Sequence, residues 1–131
     1  IMQHYATSPL AHMRSMANTK TDDAFIKKLD ETIANNMADS NLNVETLAEI
    51  MHMSRSTLYR KIAEITNLSP NELINISRLK KAAELLKTEN YKIYEVAEIV
   101  GYNSATSFGR NFQKQFQMTP SEYVNSDQRI S

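Results

Sequence analysis

The stretch SPNELINISRLKKAAELLK, residues 69–87, predicts one long helix to which the rest of the chain is attached at both ends. Its start is well marked, because Ser69 is placed to cap the helix, Pro70 fits the first helical position and Glu72 completes a capping box. Five apolar residues recur at spacings of three and four: Leu73, Ile76, Leu79, Ala83 and Leu86. A helix of this length spans roughly 27 Å, close to one turn of a DNA duplex. It is therefore suited to hold two flanking units at a fixed spacing.

The composition favours a helical protein and excludes several kinds of chemistry. Only 2 glycines and 3 prolines occur in 131 residues, whereas barrels and sandwiches need many turns built from these residues. Cysteine is absent, which excludes disulfides, thiolate zinc sites and cysteine nucleophiles. No apolar run approaches the ~20 residues that cross a bilayer. We therefore expect a cytoplasmic protein with no membrane contact by this segment.

Pairs of short predicted helices stand on both sides of the long helix. Asn43 and Ser54 are placed to cap two such helices before it, and Ser104 caps the second of two after it. Two short helices joined by a tight turn form a helix-turn-helix unit. The predicted fold class is therefore all-α, with two helix-turn-helix units joined by a long connecting helix.

The predicted boundaries follow from these helices. We assign residues 1–21 to a flexible linker or tail and residues 22–131 to the folded domain. Within the domain, the first unit covers residues 22–68, the connecting helix 69–88 and the second unit 89–126. The chain begins with Ile1 and not with Met, so we expect a fragment of a longer protein.

The two units repeat at a nearly constant offset of about 50 positions. Matching pairs with unlike roles carry the repeat: Ser54 with Ser104, Leu58 with Phe108, Arg60 with Arg110, and Pro70 with Pro120. Upstream, Ala48 pairs with Ala97 at an offset of 49, so the second turn is one residue longer. A solenoid would need at least about three repeats, so two tandem units are the better interpretation.

The outward faces of the second helix in each unit carry groups suited to nucleic acid. Advancing about 100° per residue from the inward Leu58 and Phe108 places Arg60 and Arg110 outward. An arginine there can make the bidentate contact to guanine O6 and N7. Hydroxyl residues at the same helix starts can cap the helix, contact phosphate oxygens or base edges, or do both: Ser54, Ser56, Thr57, Ser104, Thr106 and Ser107.

Net charge is zero, but the charge is unevenly distributed. Residues 22–51 carry net −5 and residues from 52 onward carry net +3. Basic residues of the later part are candidates for neutralising phosphates: Lys61, Arg78, Lys80, Lys81, Lys92 and Lys114. Among all candidates, Ser54, Lys61, Ser104 and Lys114 are the predicted phosphate contacts. A mixed-charge surface without a nucleic-acid partner is the alternative that charge alone leaves open.

The run MSRSTLYRKIAEITNLSPNELINISRLKKAAELL, followed by IYEVAEIVGYNSATSFGRNFQKQFQMTPSEYV, resembles the DNA-binding domain of AraC-type transcription regulators. The resemblance covers residues 25–125. It implies two recognition helices in successive major grooves of promoter DNA. The chain also looks like the C-terminal output domain of hybrid two-component regulators from Bacteroidetes.

That resemblance also implies partners and a location. RNA polymerase is an expected partner, and any dimerisation is expected to come from another domain. The place of action would be the bacterial nucleoid, and the full-length protein could be anchored in the membrane elsewhere in its chain.

The family's contact positions, carried over residue by residue, predict the DNA-binding residues Arg55, Ser56, Tyr59, Arg60, Thr106 and Arg110. Ala105 and Gly109 also fall at contacting positions but lack hydrogen-bond donors, so the second unit is expected to read fewer base edges. The family usually has glycine where Asn67 and Gln117 stand. The turn at Gln117 is therefore expected to be either strained or differently built.

A second hypothesis is a helical protein-interaction module that has lost DNA contact, with acidic residues 22–51 binding a partner. The zero net charge and the missing donors of the second unit support it. No nucleophile paired with a base and no phosphate-binding glycine loop is present, so an enzyme is not predicted. The spacing of His4, His12 and His52 suits no metal site, and neither a metal nor a cofactor is expected.

Overall fold

The computed structural model describes residues 20–88 and 90–130, and over these residues the chain forms seven helices and no strand. The helices are α1 (Lys20–Asn36), α2 (Val44–Ile50), α3 (Arg55–Thr66), α4 (Pro70–Thr88), α5 (Ile93–Ile99), α6 (Ala105–Phe116) and α7 (Pro120–Ile130). None of them is long and apolar enough to cross a bilayer. Of the predicted linker or tail, residues 1–19 lie outside the described residues, and α1 already includes residues 20 and 21.

Two helix-turn-helix pairs are joined by α4, which confirms the predicted fold class. Helix α2 packs on α3 in the first unit, and α5 packs on α6 in the second. Helix α4 itself contacts α1, α3, α5, α6 and α7. The last helix, α7, follows the second unit and packs on both α4 and α6. The connecting helix is therefore the centre of the molecule as well as its spacer.

One continuous hydrophobic core runs through both units and surrounds α4. Of the five apolar residues predicted to face inward on α4, Ile76 is only partly buried. Ile74 and Ala82, outside the predicted stripe, are buried, with exposed fractions of 2% and 0%. The expectation that α4 buries one apolar stripe was wrong, because helices of both units pack against it on more than one side.

Capping boxes begin both helices that start with proline. Ser69 Oγ accepts from the Glu72 amide at 3.1 Å, and Glu72 Oε1 accepts from the Ser69 amide at 2.9 Å. Thr119 and Glu122 repeat this pair of bonds at 3.1 and 2.8 Å. The bond from the Ser69 amide holds the pKa of Glu72 below its usual value, and the Thr119 amide does the same for the pKa of Glu122.

Matching positive-φ residues turn the chain between the paired helices. His52 has φ of 57° in the first unit, and Gly101 has φ of 96° in the second. The following amides, of Met53 and Tyr102, donate to the carbonyls of Ala48 and Ala97 at 2.9 Å in both units. The offset is still 49 here and becomes 50 at the serine caps, so the extra residue of the second turn is Asn103.

Helices α3 and α6 end at the C-cap residues Asn67 and Gln117, which have the same left-handed backbone conformation. Their φ angles are 60° and 61°, and their amides donate to the carbonyls of Ala63 and Gln113 at 2.9 and 2.7 Å. The turn at Gln117 is thus built in the same way as its counterpart. Of the two expectations for this turn, strain is the one that remains, because glutamine tolerates positive φ poorly.

Arg78 lies inside the protein, so the prediction that it neutralises a phosphate was wrong. Its exposed fraction is 9%, and its Nη2 donates to the carbonyl of Asp39 at 2.7 Å. Its Nε lies 3.4 Å from the carbonyl of Met37. Burial lowers the pKa of this guanidinium, which nevertheless stays charged because an arginine pKa is so high. The residue ties the loop after α1 to the connecting helix.

A small polar network joins α4 to the second unit. The Tyr102 hydroxyl donates to Asn75 Oδ1, and Asn75 Nδ2 lies 3.4 Å from Asn111 Oδ1 on α6. Burial raises the pKa of Tyr102 to about 12, so its hydroxyl stays protonated and able to donate. Together with the core, these bonds fix α6 on α4.

Candidate nucleic-acid interface

Helix α3 presents the four predicted contact residues of the first unit on its solvent side. Leu58 and Ile62 are fully buried, which fixes the rotation of the helix against the core. Arg55, Ser56, Tyr59 and Arg60 are all exposed. The structure therefore brings these side chains together on one accessible surface.

Helix α6 repeats this arrangement with fewer polar groups. Phe108, Phe112 and Phe116 are buried, and successive rings contact each other edge-on and tilted, at centroid distances of 5.6 and 4.5 Å. Thr106 and Arg110 are exposed on the opposite side. Ala105 is also exposed and Gly109 is partly exposed, and a methyl group on Gly109 would meet no atom within 4 Å. The exposed side of α6 thus carries mainly small side chains, and Arg110 is its main hydrogen-bond donor.

Serine caps place a hydroxyl at the start of both exposed faces. Ser54 Oγ accepts from the Thr57 amide at 3.1 Å, and Ser104 Oγ accepts from the Ser107 amide at 3.0 Å. The capping role predicted for both residues is confirmed. Ser54 Oγ also lies 2.7 Å from Thr57 Oγ1, so two hydroxyls are grouped at this helix end. Both caps are exposed to solvent.

The predicted phosphate-contacting lysines differ in their surroundings. Lys114 is exposed on α6, whereas Lys61 is half-buried with its ammonium 4.8 Å from the centre of the Phe25 ring. On α4, Lys80 and Lys81 both pair with Glu84. Burial lowers the pKa of Lys80. Lys114 is therefore the more accessible of the two predicted phosphate-contacting lysines.

Two glutamates beside the contact residues were not identified from the sequence. Glu64 Oε1 lies 3.2 Å from Arg60 Nη1, one helical turn along α3. Glu45 Oε1, on α2, lies 3.8 Å from Arg55 Nη1. The spacing of Arg60 and Glu64 by four residues could have revealed the first pair. The second pair joins two helices and depends on how they pack.

Comparison with known proteins places these features in a family. A family model described as "Helix-turn-helix domain" matches residues 47–126. Histidine kinase P4 of Formosa agariphila is 39% identical over 104 residues, which are 79% of this chain but 8% of that protein. The regulatory protein SoxS of Escherichia coli K12 is 32% identical over 108 residues, which are 82% of this chain and 96% of SoxS.

A solved structure extends the similarity to a protein bound to DNA. The DNA-binding domain of AdpA, a global transcriptional factor, was solved in complex with a target DNA. It matches with a TM-score of 0.68 and 25% identity, covering 95% of this chain and 96% of that one. The similarity therefore spans nearly the whole of both chains.

Proposed function

The chain belongs to the AraC-type helix-turn-helix DNA-binding domains, a family of transcription regulators and not of enzymes, and on this premise we propose how it holds DNA. Helices α3 and α6 enter successive major-groove segments on one side of promoter DNA, with centres roughly 34 Å apart. The observation that carries this proposal is the repeated exposed face, with Arg60 and Arg110 at equivalent positions on two helices packed on one core.

Base contacts are proposed for six residues in the two helices. Arg60 and Arg110 donate to guanine O6 and N7, the pairing that a guanidinium fork suits best. Ser56, Tyr59 and Thr106 can donate to base edges or to the sugar–phosphate backbone. Arg55, at the first position of α3, completes the set. The first unit therefore contacts more base edges of the DNA than the second.

Phosphate contacts are proposed for Ser54, Lys61, Ser104 and Lys114. The two serines stand at helix starts, where free amides and the helix dipole favour an anion. Lys114 is ready for this role because it is exposed. Lys61 has to move its ammonium away from the Phe25 ring to reach a phosphate, so its contribution is the smaller of the two.

The proposed domain organisation follows the expected boundaries with one change, because α1 begins at Lys20. Residues 20–131 form one DNA-binding domain with units at 20–68 and 89–126, and the residues before Lys20 lead into it as a linker or tail. The similarity to a histidine kinase supports a role as the output domain of a hybrid two-component protein. We propose that the domain acts at the nucleoid in the cytoplasm and cooperates with RNA polymerase, and that dimerisation comes from another part of the protein.

Selection of duplexes from a randomised DNA library tests this function directly. The isolated chain should enrich one sequence pattern, and its affinity for the selected duplex should fall steeply between about 50 and 200 mM salt. A chain that enriched no pattern and shifted no duplex would act as a protein-interaction module instead. The family membership and the DNA-bound relative do not favour that alternative.

A further inference from the structure

The two units differ in the acidic residues next to their contact positions. The positions of Glu45 and Glu64 in the first unit correspond to Tyr94 and Lys114 in the second, by the offsets of 49 and 50. Helix α6 contains no acidic residue at all. Among the described residues, only the first unit pairs carboxylates with arginines of its contact surface.

Each carboxylate of the first unit is close to one arginine of the proposed contact surface. Glu64 Oε1 lies 3.2 Å from Arg60 Nη1, and Glu45 Oε1 lies 3.8 Å from Arg55 Nη1. A guanidinium has five donors in a rigid fork, so one contact with a carboxylate leaves an edge free for guanine. The pairing thus restricts the orientation of each guanidinium and leaves some of its N–H donors free for DNA.

In the second unit, a groove is found where the first unit has the ion pair of Glu45 and Arg55. The corresponding residues, Tyr94 and Ala105, line a cavity of about 410 Å³ together with Ser40, Asn103 and the carboxylate-bearing Glu98. Helix α6 has no carboxylate that could pair with Arg110, and Lys114 adds a second positive charge one turn along the helix. This unit therefore adds positive charge that no carboxylate of its own recognition helix offsets.

A contribution to folding stability does not explain why the two ion pairs are present. Their four side chains are between 61% and 71% exposed, and ion pairs this exposed contribute little to folding. Their effect on DNA binding is larger, because a carboxylate beside an arginine repels phosphates and cancels part of the charge that drives non-specific binding. A guanine edge carries no net charge and is repelled far less.

We propose that Glu45 and Glu64 are positioning residues that give the first unit its sequence specificity, an inference that rests on the proposed DNA-binding function. They hold Arg55 and Arg60 ready for base edges and weaken contacts of the same arginines with phosphates. The second unit, without such carboxylates, supplies affinity that depends less on sequence.

The experiment compares the wild-type chain with Glu45→Gln, Glu64→Gln and the double variant. Dissociation constants are measured for a duplex selected by the wild type and for a scrambled duplex of the same length, from about 50 to 200 mM salt. For the double variant we expect affinity for the scrambled duplex to rise roughly three- to ten-fold, with a salt slope steeper by up to about one per carboxylate. Affinity for the selected duplex should rise less or fall, so the ratio of the two affinities decreases.

Two further variants separate positioning from general effects. Glu31→Gln removes an exposed carboxylate on α1, away from the contact surface, and should leave the ratio unchanged. Glu64→Asp keeps the charge on a shorter side chain and should restore most of the low affinity for scrambled DNA. Because the side chains are exposed, all variants should have the melting temperature of the wild type.

Several outcomes would overturn the inference. An equal gain on both duplexes, or no gain on either, would show that the carboxylates do not set specificity. An effect of Glu31→Gln as large as that of Glu64→Gln would assign the change to net charge alone. If the wild-type chain selected no duplex, the proposed function would fail first, and this inference with it.

Discussion

Arg60 and Arg110 have equivalent positions but different neighbours, and the neighbours decide how each side chain can act. Arg60 shares its helix face with Arg55, Ser56 and Tyr59 and is paired with Glu64. Arg110 stands on a face whose other contact positions include Ala105 and Gly109, which lack donors. Substitution at the two positions is therefore expected to weaken binding in both cases and to relax sequence preference at a different base pair in each.

We predict that Arg60→Ala and Arg110→Ala each weaken binding to a selected duplex by about 1–3 kcal/mol and relax preference at one base pair. Each loses a bidentate donor to guanine, so the affinity for scrambled duplexes changes less. Titrations against single-base variants of the duplex measure this. Lys28→Ala, on the exposed side of α1, is the control and should have no effect. Unchanged preference in both arginine variants would remove them from the site.

The two glycines are expected to respond to alanine in opposite ways. A methyl group on Gly101 would lie 2.1 Å from the Met37 carbonyl oxygen at a φ of 96°, whereas one on Gly109 would meet nothing within 4 Å. Gly101→Ala should therefore destabilise the fold by about 2 kcal/mol or more. Gly109→Ala should stabilise α6 by roughly 0.5–1 kcal/mol. Urea unfolding measures both, and similar values for the two variants would contradict the geometry.

At the scale of elements, α4 is both the spacer between the units and the middle of their shared core. Its Ala82 is fully buried, and helices of both units pack around it. A proline at Ala82 would break the helix inside the core, so that variant would unfold the protein and could not test the spacing alone. The start of α4 is more accessible to experiment, because its capping box is exposed.

The capping boxes predict a loss of stability in acid. The pKa values of Glu72 and Glu122 lie below the usual 4.5 in the folded protein, so their contribution is complete above that pH and is lost as the pH falls through the folded values. The variant with Glu72→Gln and Glu122→Gln keeps an acceptor without the charge. We expect its melting temperature to lie below that of the wild type at pH 7 and the gap to narrow as the pH falls below 4.5. A gap independent of pH would contradict this assignment.

At the scale of the whole molecule, the two units are joined by more than the chain connection. The core is continuous, Arg78 binds carbonyls of the loop after α1, and Asn75 contacts Tyr102 and Asn111 of the second unit. Units joined in this way are expected to unfold together. The relative orientation of α3 and α6 is then a property of the folded molecule and not of a flexible linker.

Arg78→Ala is expected to lower the free energy of unfolding by about 1–3 kcal/mol. The substitution removes the donor from the carbonyl of the buried Met37 and from the carbonyl of Asp39, which lies nearer the surface. Lys81→Ala, an exposed position on the same helix, is the matched control and should change stability little. Unfolding followed by far-ultraviolet and tyrosine near-ultraviolet circular dichroism should give one coincident transition for the wild type. Equal stability of the two variants would show that Arg78 is not a structural anchor.

Much of the local structure could be predicted from the sequence because it depends on residues close together in the chain. The caps at Ser54, Ser69 and Ser104 are set by bonds within one turn of helix. The outward position of Arg60 follows from the helical period once Leu58 is placed inward. The conformation of Gln117 was left open, since its side chain disfavours a positive φ that the neighbouring elements nevertheless impose.

The sequence by itself determined the all-α class, the tandem repeat, the capped helix starts and the exposed positions of the predicted contact residues, because periodicity and capping are local. Only the tertiary structure decided that α4 is buried on several sides, that Arg78 is an interior residue and that Glu45 meets Arg55. These three facts depend on the packing of helices that are distant in sequence. The stretch of residues 69–87 carries no local sign of how many neighbours will surround it, because burial is a property of the assembled molecule.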